Sequence, residues 1–170
     1  LWPTLTPETV HEKGAADMER VAASTRPITA TGGMKIIPKY IFDNCPDPDV
    51  IVVPALSGSD ELHEWLRETH GQTDLTMSVC TGAFQLGRAG LLDGLPATTH
   101  HDFYQSFARQ FPETDLREGL RFVETEQIST AGGLTSGVDL ALRVVERYYG
   151  REQARRTARY MEYTGECWKA

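Results

Sequence analysis

Two short apolar runs, Val50–Val53 and Leu75–Val79, flank an amphipathic segment, and this pattern constrains the fold more than anything else in the chain. The first run does not alternate and is stopped by Pro54; the second ends at Cys80. Strands of this kind are covered on both faces, as in a parallel sheet. Between them, Leu62, Trp65 and Leu66 recur at helical spacing behind Ser59, a residue suited to cap a helix. Strand, helix and strand in that order specify a βαβ unit.

The rest of the chain repeats the alternation. Residues 18–23, 28–31 and 34–37 read as an early strand followed by a hairpin or arm, and Phe122-Val123 and Ile128–Ala131 as later strands. Residues 84–89 form a helix that stops at Gly90. Phe103, Phe107 and Phe111 share a face of a helix over 102–111. Leu142, Val145 and Tyr149 mark one over 138–149, closed by Gly150, and 153–163 reads as a terminal helix. The expected class is α/β, a mostly parallel sheet covered by helices. A chain of 170 residues without repeats or an obvious linker fits one domain, 1–170.

Charge narrows the function. Asp and Glu number 24 against 17 Lys and Arg, for a formal net charge of −7. That balance argues against nucleic acid, which requires a basic footprint, and against an anionic membrane surface. No stretch is apolar and long enough to span a bilayer, and residues 1–14 lack the pattern of a signal peptide. Cys45, Cys80 and Cys167 contain no C-x-x-C pair, so neither a disulfide framework nor a zinc site is expected. The expectation is a cytoplasmic protein with reduced thiols.

Chemistry concentrates at Cys80. A strand runs into Cys80-Thr81-Gly82 and then into a helix, the logic of a nucleophile elbow, whose tight turn lifts one side chain above the strand ends. Ligands of open α/β sheets bind at those ends. Unpaired N–H groups and the helix dipole at such a position favour the thiolate, the nucleophilic form. The Thr81 N–H is placed to donate to an oxyanion, and Gly82 lets the turn close. Cys45, between Asn44 and Pro46, and Cys167, near the end, read as incidental.

Three segments carry a resemblance: Ser78-Val79-Cys80-Thr81-Gly82-Ala83, then Ala89-Gly90-Leu91-Leu92-Asp93-Gly94, then Ala97-Thr98-Thr99-His100. Together they look like the core signature of the ThiJ/PfpI superfamily. The glycine-rich run 131–142 resembles its second signature, and 49–54 the strand before its oxyanion loop. The resemblance spans about 18–163 and is specific in combination. It implies a three-layer sandwich with a mostly parallel, flavodoxin-like sheet, the class I glutamine amidotransferase-like fold, here without the family's opening strand. Thr81 stands where the protease- and deglycase-like branch has His. The pattern is closer to isocyanide hydratases, which add water to an isocyanide to give an N-formamide, and to the sensor domain of AraC-type regulators.

The resemblance carries roles onto particular residues. Cys80 is the nucleophile; His100 is the histidine expected beside it, either an acid or base suited to neutral pH or a packing, hydrogen-bonded histidine near the site. Ala55 and Leu56 stand in the oxyanion loop, where the family's Pro-Gly-Gly reads Pro54-Ala55-Leu56 and Leu56 adds bulk. In the hydratases an acid precedes the first helix; here Trp2, Pro3, Thr4 and Leu5 occupy that stretch, with Glu8 the nearest acid in sequence. Acid–base assistance contributes roughly 10²–10⁴ in rate, so hydration without that acid is expected to be weak or absent.

His100-His101-Asp102 reads as a polar cluster and not a metal site, because adjacent residues rarely converge on one ion. Asp139 is expected to meet the start of its helix, and the charges from Arg143 to Arg156 to form a solvated face. No cofactor is needed. The expected partners are a small-molecule substrate or ligand and a second copy of the chain in a homodimer, which light scattering at micromolar concentration reads. Two functions follow: a hydratase or lyase built on Cys80, or a non-catalytic ligand-binding or redox-sensing domain. A complete DNA-binding regulator would need a helix-turn-helix module after Ala170.

Overall fold

The computed structural model describes residues 19–169. Its centre is a four-stranded sheet of β5 (Val50–Val53), β6 (Leu75–Val79), β10 (Ile128–Ala131) and β9 (Phe122–Glu124), in that order. β5, β6 and β10 run parallel, with Val53 opposite Ser78 and Val79 opposite Ala131; β9 returns antiparallel. Short pairs flank this sheet. β1 (Val21–Ala22) lies parallel to β4 (Tyr40–Ile41), β2 (Ile28–Thr29) and β3 (Lys35–Ile36) form a hairpin, and β7 (Pro96–Ala97) pairs with β8 (Asp115–Leu116).

Helices cover both faces. On one lie α1 (Asp60–His70), α2 (Ala83–Arg88) and α3 (Tyr104–Gln110). Leu66, Ala83, Phe84, Leu86 and Phe107 there pack on Ile51, Val53 and Ile128. Phe84 is the hub, with Phe103, Phe107 and Phe111 edge-on at 6.2, 5.1 and 5.8 Å. On the other face α4 (Thr135–Tyr149) sets Leu140 and Val144 against Leu75, Met77 and Ala131. α5 (Arg151–Tyr160) folds back on α4, enclosing Leu142, Val145, Ala154 and Trp168. The result is a three-layer α/β sandwich. Among the described residues no helix is long and apolar enough to cross a membrane.

Local chemistry explains the boundaries. The Ser59 hydroxyl accepts the Leu62 N–H at 3.3 Å and starts α1, as expected of a cap. Gly90, at φ 74°, ends the turn after α2.

Three expectations need correction. β6 is buried on both faces along most of its length, but β5 is not: Val52, which points away from the buried Ile51 and Val53, is 44% exposed. Asp139 does not begin its helix; α4 starts at Thr135, which puts Asp139 a full turn inside. The helix read over 102–111 opens as a 3-10 turn, His101–Phe103, before α3. The charged run does form paired contacts on the surface, Arg143 with Glu124 and Glu146, and Arg156 with Glu152.

Candidate active site

The parallel register brings three loops to one end of the sheet. The residues that follow Val53, Val79 and Ala131 are Pro54, Cys80 and Gly132, so these leave neighbouring strands side by side. Cys80 donates its N–H to the Gly132 carbonyl at 2.9 Å, extending the β6–β10 ladder by one step. It then turns sharply. Its φ is 59°, a left-handed conformation that a side-chain-bearing residue adopts at a cost of about 1–3 kcal/mol. A 3-10 turn, Cys80–Gly82, leads directly into α2. The elbow expected from the sequence is present, and its thiol is partly buried.

Gly82 fits the turn for reasons of space, not of φ. Its own φ is an ordinary −56°, but a methyl group at its Cα would lie 2.1 Å from the Val53 carbonyl oxygen and 2.9 Å from that of Pro54. The turn that leads into α2 therefore rests on the backbone that opens the Pro54-Ala55-Leu56 loop. This contact puts Ala55 and Leu56 at the same end as Cys80 and Thr81.

His100 is anchored there by its neighbours. The Thr99 hydroxyl donates to the Cys80 carbonyl at 3.0 Å. The His100 ring lies across Gly133, where an added Cβ would sit 2.2 Å from Cδ2 and 2.8 Å from Nε2. Nδ1 accepts the Asp102 N–H at 3.3 Å, capping the 3-10 turn. A neutral ring must then carry its proton on Nε2, the edge turned to the Gly132-Gly133 loop. Leu134, next in that loop, holds φ 46° and is 82% exposed.

Ligand atoms of His100, His101 and Asp102 lie within 4.8 Å of one another. Their arrangement does not suit a metal ion. The two rings stack 4.4 Å apart at 23°, so their lone pairs run side by side, and Nδ1 of His100 is already engaged. The Asp102 carboxylate instead lies beside the rings, 3.1 Å from Nε2 of His101.

Sequence reasoning missed two supports of the site. One is Gln85, buried in α2 and bonded to the Leu56 carbonyl at 3.0 Å. The signal was a polar side chain between Phe84 and Leu86 in an otherwise apolar stretch. The other is Arg121, whose guanidinium bonds the fully buried Asp139 carboxylate and the Thr135 hydroxyl at the start of α4, while its carbonyl accepts the Gly132 N–H at 2.9 Å. Burial works against the Arg121 charge, but Asp139 outweighs it and pushes the guanidinium up. Burial, reinforced by Asp139, pushes the nearby Tyr163 phenol up as well. The stretch expected to correspond to the hydratase acid, Trp2 to Leu5, lies outside the described residues, as does Glu8.

A separate cavity of about 710 Å³ lies beyond α1. It is lined by Phe42, Cys45 and Trp65 with carboxylates such as Glu61 and Glu64, and includes neither Cys80 nor His100.

Comparison with known proteins agrees with this geometry. An isonitrile hydratase of Pseudomonas putida is 35% identical over 146 residues, 81% of this chain and 61% of that protein. An HTH-type transcriptional regulator, GbdR, of Pseudomonas aeruginosa is 30% identical over 132 residues, 75% of this chain and 36% of the regulator. The chain thus spans about three-fifths of the hydratase's length and about a third of the regulator's. A crystal structure of a ThiJ/PfpI family protein from Pseudomonas syringae superposes with a TM-score of 0.74 at 27% identity, covering 88% of this chain and 64% of that one. The elbow at Cys80, the loops gathered around it and a family model that matches residues 2–147 lead to one conclusion: the chain belongs to the DJ-1/PfpI family.

Proposed function

We propose that this chain is a cofactor-independent enzyme in which Cys80 adds to an electrophilic carbon of a small molecule and water then releases the product. Isonitrile hydration is the reaction class. The observation that carries this reading is the left-handed backbone of Cys80 at the end of a buried strand. A cysteine serving only as a small apolar filler gains nothing from that strain, whereas a nucleophile is projected by it.

In the proposed reaction the thiolate attacks the terminal carbon of the isonitrile and a C–S bond forms. That carbon takes up a proton, leaving a thioimidate. Water adds to the same carbon and gives up a proton, and the nitrogen is protonated. The hydroxyl gives up its remaining proton as the C–S bond breaks, returning the thiolate and an N-formamide; one water is added in all. Backbone N–H groups of Ala55, Leu56 and Thr81 hold the charge that develops, and His100 carries protons through Nε2.

The test is direct. The chain is incubated with a small alkyl isonitrile and formamide is followed by NMR. Formamide formed above the buffer rate, and lost in Cys80→Ala, is the expected result. Equal rates for the two proteins would remove the enzymatic reading. That outcome would favour a ligand-binding domain, a reading supported by the bulk of Leu56 in the oxyanion loop and by the similarity to a transcriptional regulator.

A further inference from the structure

Gln85 occupies an unusual position for a polar side chain. It lies in α2, five residues after the nucleophile, and only 3% of it is exposed. Each polar atom of its amide is used. Nε2 donates to the Leu56 carbonyl at 3.0 Å. Oε1 accepts from Nε2 of His63, on α1, at 2.9 Å and from Arg88 at 3.3 Å. The orientation of the amide is fixed by its partners: a carbonyl can only accept and a guanidinium can only donate. It follows that His63 carries a proton on Nε2.

The loop is shaped to this amide. A Cβ on Gly58 would lie 1.9 Å from Oε1 of Gln85 and 2.8 Å from Nε2 of His63, so only glycine lets the chain pass over the network. The loop is therefore held at two points. Its start is set by Gly82 against the carbonyls of Val53 and Pro54, and its far side by Gln85 at Leu56. Ala55 lies between the two.

We propose that Gln85 is a positioning residue for the reaction at Cys80: it clamps the 54–58 loop to the nucleophile helix so that the N–H groups of Ala55 and Leu56 stay aimed at the charge developing on the substrate. The proposal rests on the reading of Cys80 as nucleophile and of this loop as charge stabiliser. A core leucine would fill the same volume but would leave the Leu56 carbonyl without its partner and the loop free to turn.

Two reagents separate positioning from general damage. Iodoacetamide alkylates the Cys80 sulfur by displacing iodide, with no oxyanion. p-Nitrophenyl acetate acylates it through a tetrahedral oxyanion, forming the C–S bond and releasing p-nitrophenolate. Both rates are measured on the whole chain, with Cys80→Ser subtracted. Removal of an oxyanion donor costs roughly 10²–10³ in rate, so a loosened loop in Gln85→Leu is expected to slow acylation by about 10- to 100-fold and leave alkylation unchanged. Gly58→Ala, which pushes on the same amide from the loop side, should give the same split. Amide exchange at 55–58 should quicken in both variants. Acylation and alkylation falling together, or neither falling, would overturn the proposal, as would loop exchange equal to that of the parent chain. If instead the parent and Cys80→Ser react alike with both reagents, the nucleophile reading fails, and loop exchange alone still decides whether Gln85 clamps the loop.

Discussion

Gly82→Ala is expected to destabilise the protein by about 3 kcal/mol or more, the upper part of the range for overpacking. The added methyl would lie 2.1 Å from the Val53 carbonyl oxygen and 2.9 Å from that of Pro54, and both are backbone atoms at the end of a strand. No rotamer change relieves such a clash; α2 or the 54–56 loop must move. For a chain of this size the loss corresponds to a Tm lower by roughly 6–12 °C. Gly71→Ala is the control. Gly71 follows α1 at φ −67°, and nothing lies within 4 Å of an added Cβ. There the same change should be neutral or stabilising by about 0.4–1 kcal/mol, through the unfolded chain. Equal melting curves for the two variants would show that the loop does not rest on Gly82.

Arg121→Leu is expected to cost a similar amount, about 3–5 kcal/mol, by a different route. Asp139 is fully buried, and Arg121 neutralises it from the surface while its second nitrogen bonds Thr135. Removal of the guanidinium leaves a buried carboxylate without its cation. The double variant Arg121→Leu, Asp139→Leu should recover much of the loss, since apolar groups of similar size can replace a buried pair. Thermal melts of the single and double variants decide this. A double variant no more stable than Arg121→Leu would show that the ion pair is not what Arg121 contributes.

The parts legible in the sequence were those written as local pattern. β6 and the elbow follow from an apolar run that ends in Cys80-Thr81-Gly82, and α1 from Ser59 and the spacing of Leu62, Trp65 and Leu66. Three of the two-residue strands were not legible. Tyr40–Ile41, Pro96–Ala97 and Asp115–Leu116 pair through contacts distant in sequence and are too short for any periodicity. β5 misled because an apolar composition records which faces a residue tolerates, not which of them the fold covers. Asp139 misled because its carboxylate was matched to the nearest helix terminus, while its partner, Arg121, stands 18 positions earlier. Gln85 was visible as a polar residue among apolar ones, but its role depends on a loop carbonyl 29 positions away.

Cys80 is proposed as the reactive group of this domain. All three cysteines are free thiols. Burial, with the charges of Asp47 and Glu19, pushes the Cys45 thiol up, so it stays protonated to higher pH than an ordinary cysteine. Cys167 is exposed and open to reagent, but lies on a 3-10 turn at the end of the chain, away from any elbow. The most direct measurement is a timed, substoichiometric iodoacetamide pulse near neutral pH, with the modified cysteine located by peptide mass spectrometry. Label is expected to accumulate first on Cys80, ahead of the more exposed Cys167, and Cys80→Ser is expected to remove this fast phase. Label that accumulates first on Cys167 or Cys45, with a fast phase that survives in Cys80→Ser, would contradict it.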